Sequence, residues 1–236
     1  MQFSETDPVI SMNRRRLLDL FWEFAYKLEA VHTFYLDSIV GYSVIYERVL
    51  QKQENLRTLL GANHELANTE FQDTCSTVYK QLGGKDYSAV SMSPIMKQGN
   101  VKNRVKEDGQ NTLLLGSQCL VALYSYWEEH LRVEIGKAIG VLPQNAERND
   151  ATRHVLNKYV ANDMWADIRH IRNSIVHNNG IANSEIVKCK VITWFKPMQP
   201  IELDHGKMRQ IFLSLGRFRN ELHTMSLPPR KPIRLP

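Results

Sequence analysis

The sequence predicts a mainly α protein, a helical bundle with one small β-hairpin inserted before the last helix. Three observations carry this. Apolar residues recur at three- and four-residue steps through most of the chain, which is the spacing of helix faces turned to a core. Glycine and proline interrupt that spacing at few places, so the helices are long. The stretch rich in β-branched residues, EIVKCKVITWF followed by PIELD, falls between two helical regions.

From Asn13 to about Leu60 no proline occurs, and Leu17, Leu20, Phe21, Phe24 and Leu28 form one apolar stripe. Gly41 predicts a bend or break there. A weaker helical stretch covers residues 63–81 and ends at Gly83 and Gly84. Residues 83–110 lose periodicity and read as a long surface loop, a length that points to function or disorder. Its GGK lacks the glycine spacing and the Ser or Thr of a phosphate loop.

NTLLLGSQCLVALYSYWEEHLRVEIGKAIG then predicts the strongest helix, from about Asn111 to Ala138. Asn111 is the expected cap, and Leu120, Leu123, Trp127, Leu131 and Ile135 the core stripe. Gly140 and Pro143 close it. A helical region runs from Asp150 to His177, in two pieces meeting near Asn162. The hairpin follows, its strands parted by Lys196-Pro197-Met198-Gln199. A last helix from about His205 to Met225 turns Met208, Ile211, Phe212, Leu215 and Leu222 inward. Three parts result: a helical region 1–110, free to extend the same bundle, a helical domain 111–226, and a Pro/Arg-rich tail 227–236.

The composition is that of a soluble globular chain, with 43% hydrophobic and 23% charged residues. No run approaches the roughly 20 apolar residues of a membrane span. The N-terminal MQFSETDPVISMNRRR lacks the order of a secretory signal. Cys75, Cys119 and Cys189 are scattered, with no CxxC pair, so reduced thiols, a cytoplasmic setting and no structural zinc are expected. A net charge of +5 leans mildly towards anionic partners. Clusters at Arg14–Arg16, at Lys97, Lys102, Arg104 and Lys106, and in the tail specify none by themselves.

The segment IRNSIVHNNG, residues 171–180, carries the chemistry. On a helix, Met164, Ile168, Ile171 and Ile175 share an arc of about 60° and face the core. Arg169, Asn173 and His177 lie opposite. Arg172 sits on the flank, about 140° from His177 around the axis. Arg172 and His177 can therefore meet only if the helix ends near Val176, if a ligand spans them, or if a second copy completes the site. As punctuation alone, the arginines are solvated, His177 favours a helix C-terminus and Asn178, Asn179 and Gly180 form a turn. As chemistry, cationic donors and an imidazole with no acid on their stripe suit a phosphodiester.

Arg172-Asn173-Ser174-Ile175-Val176-His177 resembles the Rx4–6H motif of the HEPN superfamily, including the polar residue directly after the arginine. The preceding helix with Tyr126-Trp127-Glu128-Glu129 and Leu131-Arg132 is similar to the acidic, aromatic-bearing helix of those bundles. The resemblance covers about residues 111–225.

It implies a metal-independent endoribonuclease, without cofactor, of the kind found in toxin–antitoxin pairs and phage defence. It also implies RNA as substrate, a homodimer with two motifs face to face, an antitoxin or defence-system partner, and no membrane association. An RNA 2′-hydroxyl would attack its neighbouring phosphate. His177 would move protons as general acid or base, and Arg172 would brace the phosphoryl oxygens or order the partner's His177. Asn173 would orient His177 or bind phosphate, and Arg169 and Asn178 would contact RNA. The competing expectation is an inactive HEPN-like scaffold that binds RNA, a nucleotide or a partner protein. Glu128 is expected to pair with Arg132, and Trp127 and Trp165 to be core residues. His205, beside a helix start, is expected in a cap region rather than on a metal.

Overall fold

The computed structural model of the chain describes residues 13–61, 72–74 and 95–227, and these are mostly helical. Arg14–Leu60 (α1) is one unbroken helix of 47 residues. Asn13 precedes it, its side chain accepting the Arg16 N–H at 3.0 Å. The break expected at Gly41 does not occur. Gly41 is solvent-exposed, with open space where a Cβ would stand. A glycine so placed weakens a helix without cutting its hydrogen bonds.

Gln72–Thr74 (β1) pairs antiparallel with Ile95–Lys97 (β2). Residues 72–74 are thus extended, not helical as expected. The rest of the expected 63–81 helix, and loop residues 83–94, lie outside the described residues. Gln98–Val105 (α2) is helical where a loop was expected. Its Val101 and Val105 are buried, an i, i+4 pair too short to register as periodicity.

The long central helix has three pieces: Gln110–Tyr126 (α3), a π-turn at Trp127–Leu131, and Arg132–Ala138 (α4). Asn111 lies inside it rather than capping it. Gly109 precedes it, and a Cβ there would stand 2.4 Å from the Arg104 carbonyl oxygen, so the chain needs glycine for the close approach. Successive i+4 apolar steps at Leu123, Trp127, Leu131 and Ile135 drift about 40° each around an α-helix. The wider π-turn absorbs that drift, and all four side chains are buried.

Asp150–Tyr159 (α5) and Asp163–His177 (α6) follow. Each is capped by an asparagine: Asn149 accepts from the Thr152 N–H and Asn162 from the Trp165 N–H. The last described element is His205–Ser226 (α7).

No hairpin forms between α6 and α7. Residues 181–204 run as a 3₁₀ turn, Ser184–Lys188, and irregular extended chain, with one isolated bridge between Ile181 and Pro200. The reason is Asp167. Its buried carboxylate accepts the backbone N–H groups of Lys190 (3.0 Å), Val191 (2.6 Å) and Ile192 (2.7 Å). Amides engaged by a side chain cannot also pair with a strand.

The described chain divides into two units. One holds residues 13–33, 117–202 and 207–227, so the first turns of α1 group with the helices around α6. Its centre is an aromatic cluster. Trp127 and Trp165 stack with ring centroids 4.8 Å apart, and Phe218 stands edge-on to both. Phe24 closes the cluster against Trp165 and Phe218, each such pair adding about 0.5–1.5 kcal/mol beyond burial. Arg16 ties α1 to α4 through Glu134 at 2.9 Å and also meets Glu23 at 2.7 Å, so it is not a free surface cation. The other unit holds residues 34–61, 72–74, 95–116 and 203–206. There Val49 packs on Val101 and Ile45, and Tyr35 stacks on His205.

Candidate active site

α6 presents two faces. Met164, Ile168 and Ile171 are buried and Ile175 is half-buried, while Arg169 and His177 are exposed and Asn173 and Arg172 half-buried. The helix is held from below by the aromatic cluster and by Asp167, so its outer face is fixed in position.

The end of α6 is built by Ser174. Its carbonyl accepts the N–H groups of Asn178 (3.2 Å) and Gly180 (3.1 Å). Its hydroxyl donates to the His170 carbonyl and accepts the Asn183 N–H. Asn179 and Gly180 both adopt positive φ, 50° and 76°, which explains an Asn-Gly pair at this turn. Asn178 donates its side-chain amide to the Ile181 carbonyl at 2.6 Å, so it holds the turn that ends the helix.

At that end the Arg172 Nη1 donates to His177 Nε2 at 2.8 Å and to Asn173 Oδ1 at 3.2 Å. The divergence expected from the wheel is overcome in two ways. His177 is the last helical residue, before Asn178 leaves helical geometry at φ −132°, and the long arginine side chain spans the remaining arc. A guanidinium can only donate, so in this contact His177 Nε2 is the acceptor. Arg172 Nε is buried and has no hydrogen-bond partner. Neither Arg172 nor Arg169 forms an ion pair among the described residues, though Glu185 feels the Arg169 charge.

The π-turn supplies a second polar group. Glu128 meets Arg132 at 3.3 Å and Arg148 at 3.8 Å, and the Tyr124 hydroxyl donates to it at 3.4 Å. Burial, then the charge of Glu128, pushes the Tyr124 phenol up to about 12, so it stays protonated and keeps donating. Arg132 is buried, and also donates to the Val160 carbonyl and to Asn157 Oδ1. The Glu128–Arg132 pair is thus the i, i+4 contact the sequence predicts. Trp127 and Trp165 are core residues.

Sequence reasoning missed Asp167 and His170, both buried on α6. Burial, then the neighbouring Arg169 charge, lowers the His170 pKa, so its imidazole is held neutral. A carboxylate and an imidazole at i, i+3 among hydrophobic residues are the signal that could have found them. Burial pushes the described thiols up, Cys119 to about 11 and Cys189 to about 12, which favours their protonated form at neutral pH. Cys75 lies outside the described residues. No three His, Cys, Asp or Glu side chains gather as metal ligands among the described residues. None of the described helices is long and apolar enough to cross a membrane. Comparison with protein-family models, curated proteins and solved structures finds no match to this chain.

Proposed function

We propose that the protein is an endoribonuclease of HEPN type that cleaves RNA by 2′-hydroxyl attack and needs no metal. The observation that carries this reading is the 2.8 Å contact between Arg172 Nη1 and His177 Nε2 on an exposed helix end, where neither residue forms an ion pair among the described residues. An arginine kept solely for solubility has no reason to hold an imidazole as its acceptor.

The chemistry follows from the donors. An incoming phosphodiester is a stronger acceptor than an imidazole. Its non-bridging oxygens would take over the Arg172 N–H groups and release His177 Nε2. That nitrogen can then accept the 2′-hydroxyl proton as the 2′-oxygen bonds to phosphorus. The P–O5′ bond breaks, the 5′-oxygen takes a proton from solvent water, and a 2′,3′-cyclic phosphate remains. Arg172 offsets the charge building on the phosphoryl oxygens. Asn173, hydrogen-bonded to Arg172, holds the guanidinium in place, and Arg169, one turn away, contacts the strand. The resemblance extends this reading to a homodimer acting in a toxin–antitoxin or phage-defence setting.

The test is purified protein incubated with total RNA in EDTA, beside a His177→Ala control. Cleavage by the wild type alone supports the reading. No cleavage, or equal cleavage by both, overturns it and leaves a nucleic-acid-binding scaffold.

A further inference from the structure

One turn along α6 from the Arg172–His177 pair, a cavity of about 220 Å³ opens between α6, α5 and the π-turn. Tyr124, Glu128, Asn157, Trp165, Ala166 and Arg169 line it. It is smaller than the roughly 300–1,000 Å³ of sites for drug-sized ligands, which is the scale of one ring system rather than a chain of several.

Its polar groups are of both kinds. Arg132, also in the wall, has its donors committed to Val160, Glu128 and Asn157, which leaves Arg169 as the uncommitted cation. The Trp165 indole N–H has no partner, although the residue is 2% exposed. Against these donors stands the Glu128 carboxylate, whose Oε1 meets only Arg148 among the described residues, at 3.8 Å. A phosphate wants donors alone and would be repelled by Glu128. A neutral, flat ligand with adjacent donors and acceptors matches the set. Guanine presents two N–H donors beside an oxygen acceptor, and carboxylates and arginines read such edges.

We propose that this cavity is a base-binding subsite for one nucleotide of the RNA strand, guanine foremost, next to the phosphate held by Arg172 and His177. The placement supports it, because Arg169 belongs to the cavity wall and neighbours Arg172 and Asn173 on the helix surface, about 5–6 Å between Cβ atoms. A strand crossing α6 would set one base in the cavity and its phosphate over the pair. The RNA context rests on the ribonuclease reading, but the cavity's ligand does not.

The experiment is therefore a binding titration of the full chain with guanosine, adenosine, cytidine, uridine and inorganic phosphate, followed by tryptophan fluorescence. Guanosine should bind tightest and inorganic phosphate should not displace it. Ala166→Phe should fill the cavity and abolish binding, and Arg169→Ala should weaken it roughly three- to tenfold. If Ala166→Phe fails to fold by circular dichroism, the exposed Arg169 variant decides. Absence of nucleoside binding, displacement by phosphate, preference for another base, or binding untouched by these variants overturns the proposal. Guanosine binding without any RNA cleavage would sink the ribonuclease reading and keep the subsite.

Discussion

Arg172 and His177 stand five residues apart on one helix, and their side chains nevertheless touch, Nη1 to Nε2 at 2.8 Å. The contact exists because the helix stops at His177, where Asn178, Asn179 and Gly180 turn the chain away. Either residue replaced by Ala should abolish RNA cleavage. His177 is exposed and Arg172 half-buried, so stability should change by about 1 kcal/mol or less, a melting shift of a few degrees at most. Arg172→Lys should fail as well, because an ammonium lacks the fork that spans imidazole, amide and phosphate. Products should carry 2′,3′-cyclic phosphate ends in EDTA. Metal dependence or 5′-phosphate products would count against the mechanism.

A second prediction concerns pH. Burial lowers the His170 pKa below that of an unfolded histidine. In the window between the folded and the unfolded value, the unfolded chain binds the extra proton. Stability is therefore full above the unfolded pKa of about 6.5 and is lost as pH falls towards the folded value. His170→Leu removes this dependence. The wild type should lose more melting temperature between pH 7.5 and 5.5 than the variant does, and parallel curves would refute the assignment.

Asp167 gives the third. Its carboxylate is the acceptor for three successive backbone N–H groups, and Ile192 among them is buried. Asp167→Ala strands those donors and should cost about 3 kcal/mol, since orphaned buried groups cost about 1–3 kcal/mol each and water can reach part of this set. Asp167→Asn, keeping one acceptor oxygen, should lose less. Urea unfolding midpoints measure both, and a loss under about 0.5 kcal/mol for the alanine variant would contradict the account.

This carboxylate also marks where the sequence stops being legible. The helices could be read because their stripes repeat: Leu17, Leu20, Phe24 and Leu28 on α1, or Met208, Ile211, Leu215 and Leu222 on α7, are all buried as the spacing requires. Residues 185–204 carried the β-branched composition of a hairpin. What they became was decided by a single Asp on another helix, a long-range contact that no local pattern contains. At the site, the resemblance to the Rx4–6H motif picked out Arg172, Asn173 and His177. Their mutual distance depended on the turn after His177. The cavity of about 220 Å³ was hidden because its wall comes from α6, α5 and the π-turn, which only the tertiary packing brings together.

Two glycines separate the same kinds of reasoning. Gly41 sits exposed inside α1 with nothing around it, so Gly41→Ala should stabilise the protein by about 0.5–1 kcal/mol. At Gly109 a Cβ would press on the Arg104 carbonyl. Backbone gives way less readily than side chains, and Gly109→Ala should destabilise by about 1–3 kcal/mol. Melting curves of the two variants should shift in opposite directions.

The last prediction is assembly. Arg172 and His177 reach each other within one protomer, so divergence around the helix no longer argues for a second copy. What remains is the pair of arginines, Arg169 and Arg172, that form no ion pair among the described residues, together with the resemblance to dimeric ribonucleases. Two such pairs repel, so a dimer must be held by apolar contacts elsewhere, with the motifs meeting across a cationic cleft that weakens for RNA as salt rises. Light scattering should give twice the 27.3 kDa chain mass. Mixing Arg172→Ala with His177→Ala subunits then separates two arrangements. If Arg172 of one protomer serves His177 of the other, the mixture should regain roughly a quarter of wild-type activity, because half the dimers are mixed and each has one intact site. If each pair works within its own chain, the mixture stays inactive. A monomer with full nuclease activity would refute the dimer altogether, while leaving the 2.8 Å pair as the site of the chemistry.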